Sequence, residues 1–196
     1  MTDPSRTLSF DDYMAPVPLE QVAEILSDWT WCVPANHRPV GITLFGDVLL
    51  VDPGNRIFLL DTAFGVYERV AEGNDDFRAK LANPAFLQYL LRIELADRAM
   101  KSPVGDPQND SSIGRPRASE IFAFRIPLIV GGQSTLDNLV RMPPHVPLAM
   151  ASMMARQLEA VPPGTPVRMD FRNFPGRPAG PPGGPNGALI RAARRR

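Results

Sequence analysis

The chain has 196 residues, 44% of them hydrophobic and 21% charged, with a formal net charge of zero; this is the make-up of one globular domain and excludes a disordered or fibrous chain. No apolar run reaches the roughly 20 residues of a membrane-spanning helix, the start MTDPSRTLSFDDYM lacks the pattern of a signal peptide, and the single cysteine, Cys32, excludes an internal disulfide. The zero balance conceals an asymmetry, because residues 172–196 carry six arginines and no acid, which leaves 15 basic and 21 acidic side chains in residues 1–171. A cytoplasmic protein with no membrane span is the expectation.

In chain order, "PVPLEQVAEILSDW" comes first, with Leu19, Val22, Ala23, Leu26 and Trp29 at helical spacing behind Pro18. "PANHRP" ends that helix. Val48–Val51 and Arg56–Leu60 then read as a hairpin around "DPGN". Pro53 presets the first central turn position, and Gly54 is expected to supply positive φ at the second. The nearly continuous apolar character of both strands places the hairpin centrally in its sheet, and "FGVYERVA" returns as a third strand. Asn74 is expected to cap "DDFRAKLA", and Asn83-Pro84 to open one long helix, "AFLQYLLRIELADRAMK". In it Phe86, Leu87, Leu90, Leu91 and Leu95 share a face, with Gln88, Arg92 and Asp97 pointing elsewhere.

A polar loop follows from Ser102 to Ser119, long enough to suggest function or disorder. "EIFAFRI" and "NLVRM" read as strands around the glycine-hinged "PLIVGGQST". "PLAMASMMARQLEAV" reads as a helix, and "PVRMDF" as a last strand after the turn "PPGT". The fold class expected is α+β: a single domain over residues 1–171, a mainly antiparallel sheet with packed helices. A disordered Pro/Gly/Arg-rich tail is expected over residues 172–196.

Three aspartates stand among the apolar residues of the hairpin region. A metal or acid–base site needs carboxylates that converge, but Asp52 lies in the turn while Asp47 and Asp61 lie at the opposite end. Each has a structural role instead, Asp52 as first residue of a turn and the other two as acceptors of backbone N–H groups at strand ends. His37 and His145 neighbour prolines in connecting segments and read as surface or capping histidines. Cys32 reads as a small buried hydrophobe. Met150, Met153 and Met154 suggest either core packing or an adaptable groove, with packing preferred. "VGGQS" lacks the Lys of a phosphate-binding loop. No catalytic residue, metal site or cofactor is expected.

The motifs Phe45-Gly46-Asp47, Leu60-Asp61-Thr62, Gly65, Pro127, Gly131-Gly132, Asp137-Asn138 and Pro163-Gly164-Thr165 occur in a characteristic order over roughly Leu19 to Phe171. With Gly54 in the hairpin turn, they resemble the C-terminal domain family of bacterial type VI secretion immunity proteins, which also occurs as stand-alone chains. The last helix departs from the family at Ser152-Met153-Met154-Ala155. The resemblance implies an α+β domain that neutralises a secreted toxin by direct binding, the best-known members protecting against DNA-cleaving effectors. The acidic body suits a basic toxin. Asp106 and Asp110, in the polar loop, are the candidate partner-binding acids. A second class of function is non-specific docking on nucleic acid or an anionic surface through "RAARRR"; a hydrolase comes last.

Overall fold

The computed structural model describes residues 9–102, 113–162, 165–168 and 189–191. Four strands form the central antiparallel sheet in chain order: β1 (Arg38–Ile42), β2 (Val48–Val51), β3 (Ile57–Asp61) and β4 (Val66–Ala71). As their composition requires, β2 and β3 are the inner pair: every residue of β2 is buried, as is every residue of β3 but Phe58. β1 escapes a reading by propensity because it holds Pro39 and Gly41. It tolerates them as an edge strand, with an irregularity between those two residues.

The turn between β2 and β3 corrects one expectation. The Asn55 N–H donates to the Asp52 carbonyl at 3.0 Å, and the Asp52 N–H to that of Arg56 at 3.1 Å. Positive φ falls on Asn55 (φ 59°), not on Gly54. This is a tight turn followed by one left-handed residue, a position that asparagine tolerates. Asn55→Val should therefore destabilise by about 1 kcal/mol or more. Gly54→Ala, whose Cβ would meet Asp52 Oδ1 at an ordinary 3.4 Å, should stay within about 0.5 kcal/mol. Urea unfolding of the two variants checks the assignment.

The helices are α1 (Leu19–Leu26), α2 (Asn74–Leu81), α3 (Pro84–Leu91), α4 (Ile93–Lys101) and α5 (His145–Leu158). Gly73, not Asn74, is the residue before α2, and Asp76 instead accepts from the Glu72 N–H there at 2.9 Å. Asn83 caps α3 as expected, its side chain accepting from the Ala85 N–H at 2.9 Å.

The long helix expected after Pro84 is two helices. The break is Arg92, in the left-handed region at φ 49°, ψ 47°. Its N–H closes α3 on the Gln88 carbonyl at 3.0 Å, and the Gln88 side chain accepts from the Glu94 N–H at 3.1 Å to start α4. Far from pointing outward, Arg92 is 8% exposed.

A second, two-stranded sheet pairs β5 (Ile121–Phe124) with β6 (Leu139–Met142), and it joins the first where the Phe122 N–H donates to the Leu44 carbonyl at 2.6 Å. Last come β7 (Pro166–Arg168) and β8 (Leu189–Arg191), which pair antiparallel. β8 is a strand inside the segment expected to be a disordered tail, and it falls on Leu189-Ile190, the adjacent aliphatic pair of that segment. The architecture is a mixed α+β domain. None of its helices, among the described residues, is long and apolar enough to cross a membrane.

Candidate functional site

The turn from β1 to β2 is tied by Thr43, whose hydroxyl accepts from the N–H groups of Phe45 (3.3 Å) and Asp47 (3.2 Å). It needs Gly46, at φ +83°, where an added Cβ would sit 2.8 Å from Ile121 and 2.9 Å from Leu148. This delivers the Asp47 carboxylate to the end of β3. There it accepts from the Thr62 N–H at 2.9 Å and the Thr62 hydroxyl at 3.2 Å. Asp61 accepts from the Ala63 N–H at 3.1 Å. Both are strand-end acceptors, as expected from the sequence.

Arg92 joins them from the helix break. Its Nη1 donates to Asp47 and its Nη2 to Asp61 at 3.1 Å, while the guanidinium carbon lies 5.7 Å from the centre of the Phe45 ring. Asp47 is 1% and Asp61 0% exposed. One buried cation thus bridges two buried carboxylates. A left-handed arginine costs about 1–2 kcal/mol, which charge-assisted bonds to two carboxylates offset. Asp52 stands apart, accepting from the Arg56 N–H at 2.8 Å and the guanidinium at 2.7 Å.

Burial pushes the Asp47 carboxyl up, Asp61 pushes it further, and Arg92 opposes both, leaving it at about 6 against an ordinary 3.8. Burial alone would lower Arg92, but the two carboxylates outweigh it and raise it. A carboxyl raised in the folded state stabilises most below its unfolded value, and this contribution is lost as pH rises through the folded one. The stability profile of the protein should therefore contain a component that falls between about pH 4 and pH 6. Asp47→Asn should remove that component, and a carboxyl ¹³C titration should show a midpoint near 6 that vanishes in the variant.

Beside the triad lies an apolar groove of about 250 Å³. Phe45 contributes from the turn between β1 and β2, Thr62 and Ala63 from the turn after β3, Ile121, Ala123, Val140 and Met142 from β5 and β6, and Val146, Leu148, Met150 and Ala151 from α5. Phe45 packs at 5.5 Å from Phe122 and stacks at 5.9 Å on Phe124. Pro127 and Leu128 form one wall, on a loop clamped by buried Asn138. That side chain accepts from the Ile126 N–H and donates to the Ile126 and Gln133 carbonyls, each at 2.8 Å. Gly132 is required in the same loop because a Cβ would overlap the Ile126 carbonyl.

Part of the motif set meets at this groove. Phe45 lines it; Gly46 lets Ile121 and Leu148 approach; Asp47 and Asp61 hold Thr62 and Ala63; Gly131 and Gly132 shape its wall. Asp137 is exposed in a one-turn helix (Leu136–Asn138), and the adjacent Asn138 does the holding. Gly54 lies at the turn between β2 and β3, away from the groove. Gly164, Asp106 and Asp110 lie outside the described residues. The methionines divide: Met154 is core and Met150 lines the groove. His145 makes an exposed contact to Gln21 at 3.2 Å, and His37 bonds the Tyr67 hydroxyl. Burial, then Glu159, pushes the Cys32 thiol up to about 11, which suits an inert side chain. Sequence reasoning missed Arg92 and gave Asn138 only as part of a motif, without its clamping role; for Arg92 the one available signal was an arginine eight residues into a helix otherwise rich in leucine.

Fold and site together define an α+β domain with an apolar groove set against a buried ion triad. Comparison with protein-family models finds no match for the chain, and comparison with curated proteins finds none either. Among solved structures, the chain is similar to the crystal structure of Atu4351 from Agrobacterium tumefaciens, at 12% identity, over 81% of this chain and 70% of that one, with a TM-score of 0.45.

Proposed function

We propose that this chain is a cytoplasmic, non-catalytic binding protein of the immunity type, which neutralises a toxin by direct contact without a cofactor. One observation carries the reading. Asp47 and Asp61, the two carboxylates that come together, are sealed behind the groove and bonded to Arg92 and to backbone N–H groups. Both are buried from solvent, and the concave surface beside them is apolar, which suits a protein contact better than hydrolysis. The motif order supports the immunity type, and the acidic body supports a basic toxin such as a nuclease.

The test is co-expression. A toxin gene next to this chain's own gene is expressed in a sensitive host with and without the chain, and the purified pair is examined by calorimetry. Survival together with a direct complex is the expected result. Death of the host despite soluble expression of the chain would refute the immunity role. A hydrolase activity abolished by Asp47→Asn would refute the non-catalytic one.

A further inference from the structure

The Asp47 carboxylate ties together two segments that lie far apart in the chain. Its Oδ1 accepts from the Thr62 N–H at 2.9 Å and the Thr62 hydroxyl at 3.2 Å. That fixes the turn after β3, where Thr62 and Ala63 line the groove. Its Oδ2 accepts from Arg92 and so fixes the break between α3 and α4. Arg92 occupies the left-handed region (φ 49°), which an arginine adopts only against a penalty. One side chain is thus common to the groove wall and the helix joint.

The surroundings of this carboxyl decide when it holds. Two charged groups face it, Arg92 from the helix joint and Asp61 from the end of β3. The turn before β2 brings the Thr43 hydroxyl, which accepts from the Asp47 N–H at 3.2 Å. β5 and α5 approach at Gly46 with Ile121 and Leu148, neither of them charged. Ionised in place, Asp47 lacks hydration and lies beside a second carboxylate; opening to solvent relieves both costs. Protonated, it carries neither cost, and the Thr62 hydroxyl at Oδ1 can turn from donor to acceptor of the new O–H. The sign follows from linkage: the closed arrangement holds the proton more tightly than an open one, so acid favours closure and rising pH favours opening. Burial raises this carboxyl, Arg92 lowers it and Asp61 raises it again, leaving it at about 6.

We propose that Asp47 is a pH-sensitive latch: protonated, it keeps the Thr62–Ala63 wall of the groove and the α3–α4 joint closed; ionised, it lets the two open together as one local unit. The latch goes beyond the binding reading and does not depend on it, because it concerns the free chain.

The test is amide hydrogen exchange of the full chain by NMR between pH 4.5 and pH 7.5, with and without a low concentration of urea. Each rate is divided by that of an exposed amide at the same pH. Protection of the Thr62, Ala63, Arg92 and Glu94 amides should fall together, about tenfold or more, as pH rises. It should level off above the midpoint of the Asp47 carboxyl ¹³C titration and depend little on urea, as local openings do. Amides in the inner strands β2 and β3 should stay better protected and respond to urea. Asp47→Asn should abolish the pH dependence at the four amides. Different pH profiles for the two segments would overturn the latch, as would a profile unrelated to the Asp47 midpoint or a urea response equal to that of the inner strands. The first three measurements use the native chain alone, so they decide the matter even if the variant does not fold; a folded variant that keeps the pH dependence would also overturn it.

Discussion

Replacing Arg92 by methionine is expected to cost about 3–5 kcal/mol of stability, the range for removing one partner of a buried ion pair. Methionine fills much of the same space, so the loss arises from leaving Asp47 and Asp61 buried without their cation. Two controls isolate that cause. The penalty should shrink as pH falls toward 4, because the Asp47 carboxyl, raised in the folded state, no longer needs a counter-charge once it is protonated. Adding Asp47→Asn and Asp61→Asn should restore part of the stability, since the amide oxygens can still accept from Thr62 and Ala63 at less cost than buried charges. Urea unfolding of the single and combined variants at pH 4 and pH 7 provides the measurement. A penalty that is independent of pH, with no rescue, would mean that the arginine acts by packing alone.

Phe45→Ala should have an effect of similar size, about 3–5 kcal/mol, typical of deleting a buried aromatic ring. Phe45 contacts Phe122 and Phe124 and lies under the Arg92 guanidinium, so the cavity would open between two sheets and a charge. A domain of ordinary stability, about 5–15 kcal/mol, would be left near its limit. Phe45→Leu keeps most of the volume and should cost less than about 1.5 kcal/mol. It gives a folded chain in which the floor of the groove is altered, and under the binding reading proposed above the affinity for the toxin should fall more than stability does. Thermal unfolding beside the binding titration separates the two effects.

What could be read in advance was what local pattern encodes. Val48–Val51 and Ile57–Asp61 declared themselves by apolar composition around a proline–glycine turn, and the strands at Ile121 and Leu139 by their length and flanking breakers. β1 did not, because Pro39 and Gly41 disfavour a strand everywhere except at an edge, and edges are set by the rest of the sheet. Gly54 drew the positive φ on paper, yet the turn hands it to Asn55, one residue later. The break at Arg92 was invisible because its cause lies about 30 and 45 residues away, at Asp61 and Asp47. The groove was hidden for the same reason. Phe45, Thr62, Met142 and Met150 lie far apart in the chain and share no local pattern. The structural reading of Asp47 and Asp61 was accessible, since they flank the apolar runs that form the strands; the cation between them was not.

The interruption at Arg92 also bears on the order of events as the chain folds. Residues 85–101 contain neither proline nor glycine, so nothing local stops α3 and α4 from running together as one helix in the unfolded ensemble. The left-handed turn is favoured only once Asp47 and Asp61 have been brought side by side by β2 and β3. The relative direction of the two helices is thus dictated by the sheet and fixed late. Arg92→Met should accordingly accelerate unfolding far more than it slows refolding, the signature of an interaction absent from the transition state. Such a late lock extends the lifetime of the folded form without delaying its formation.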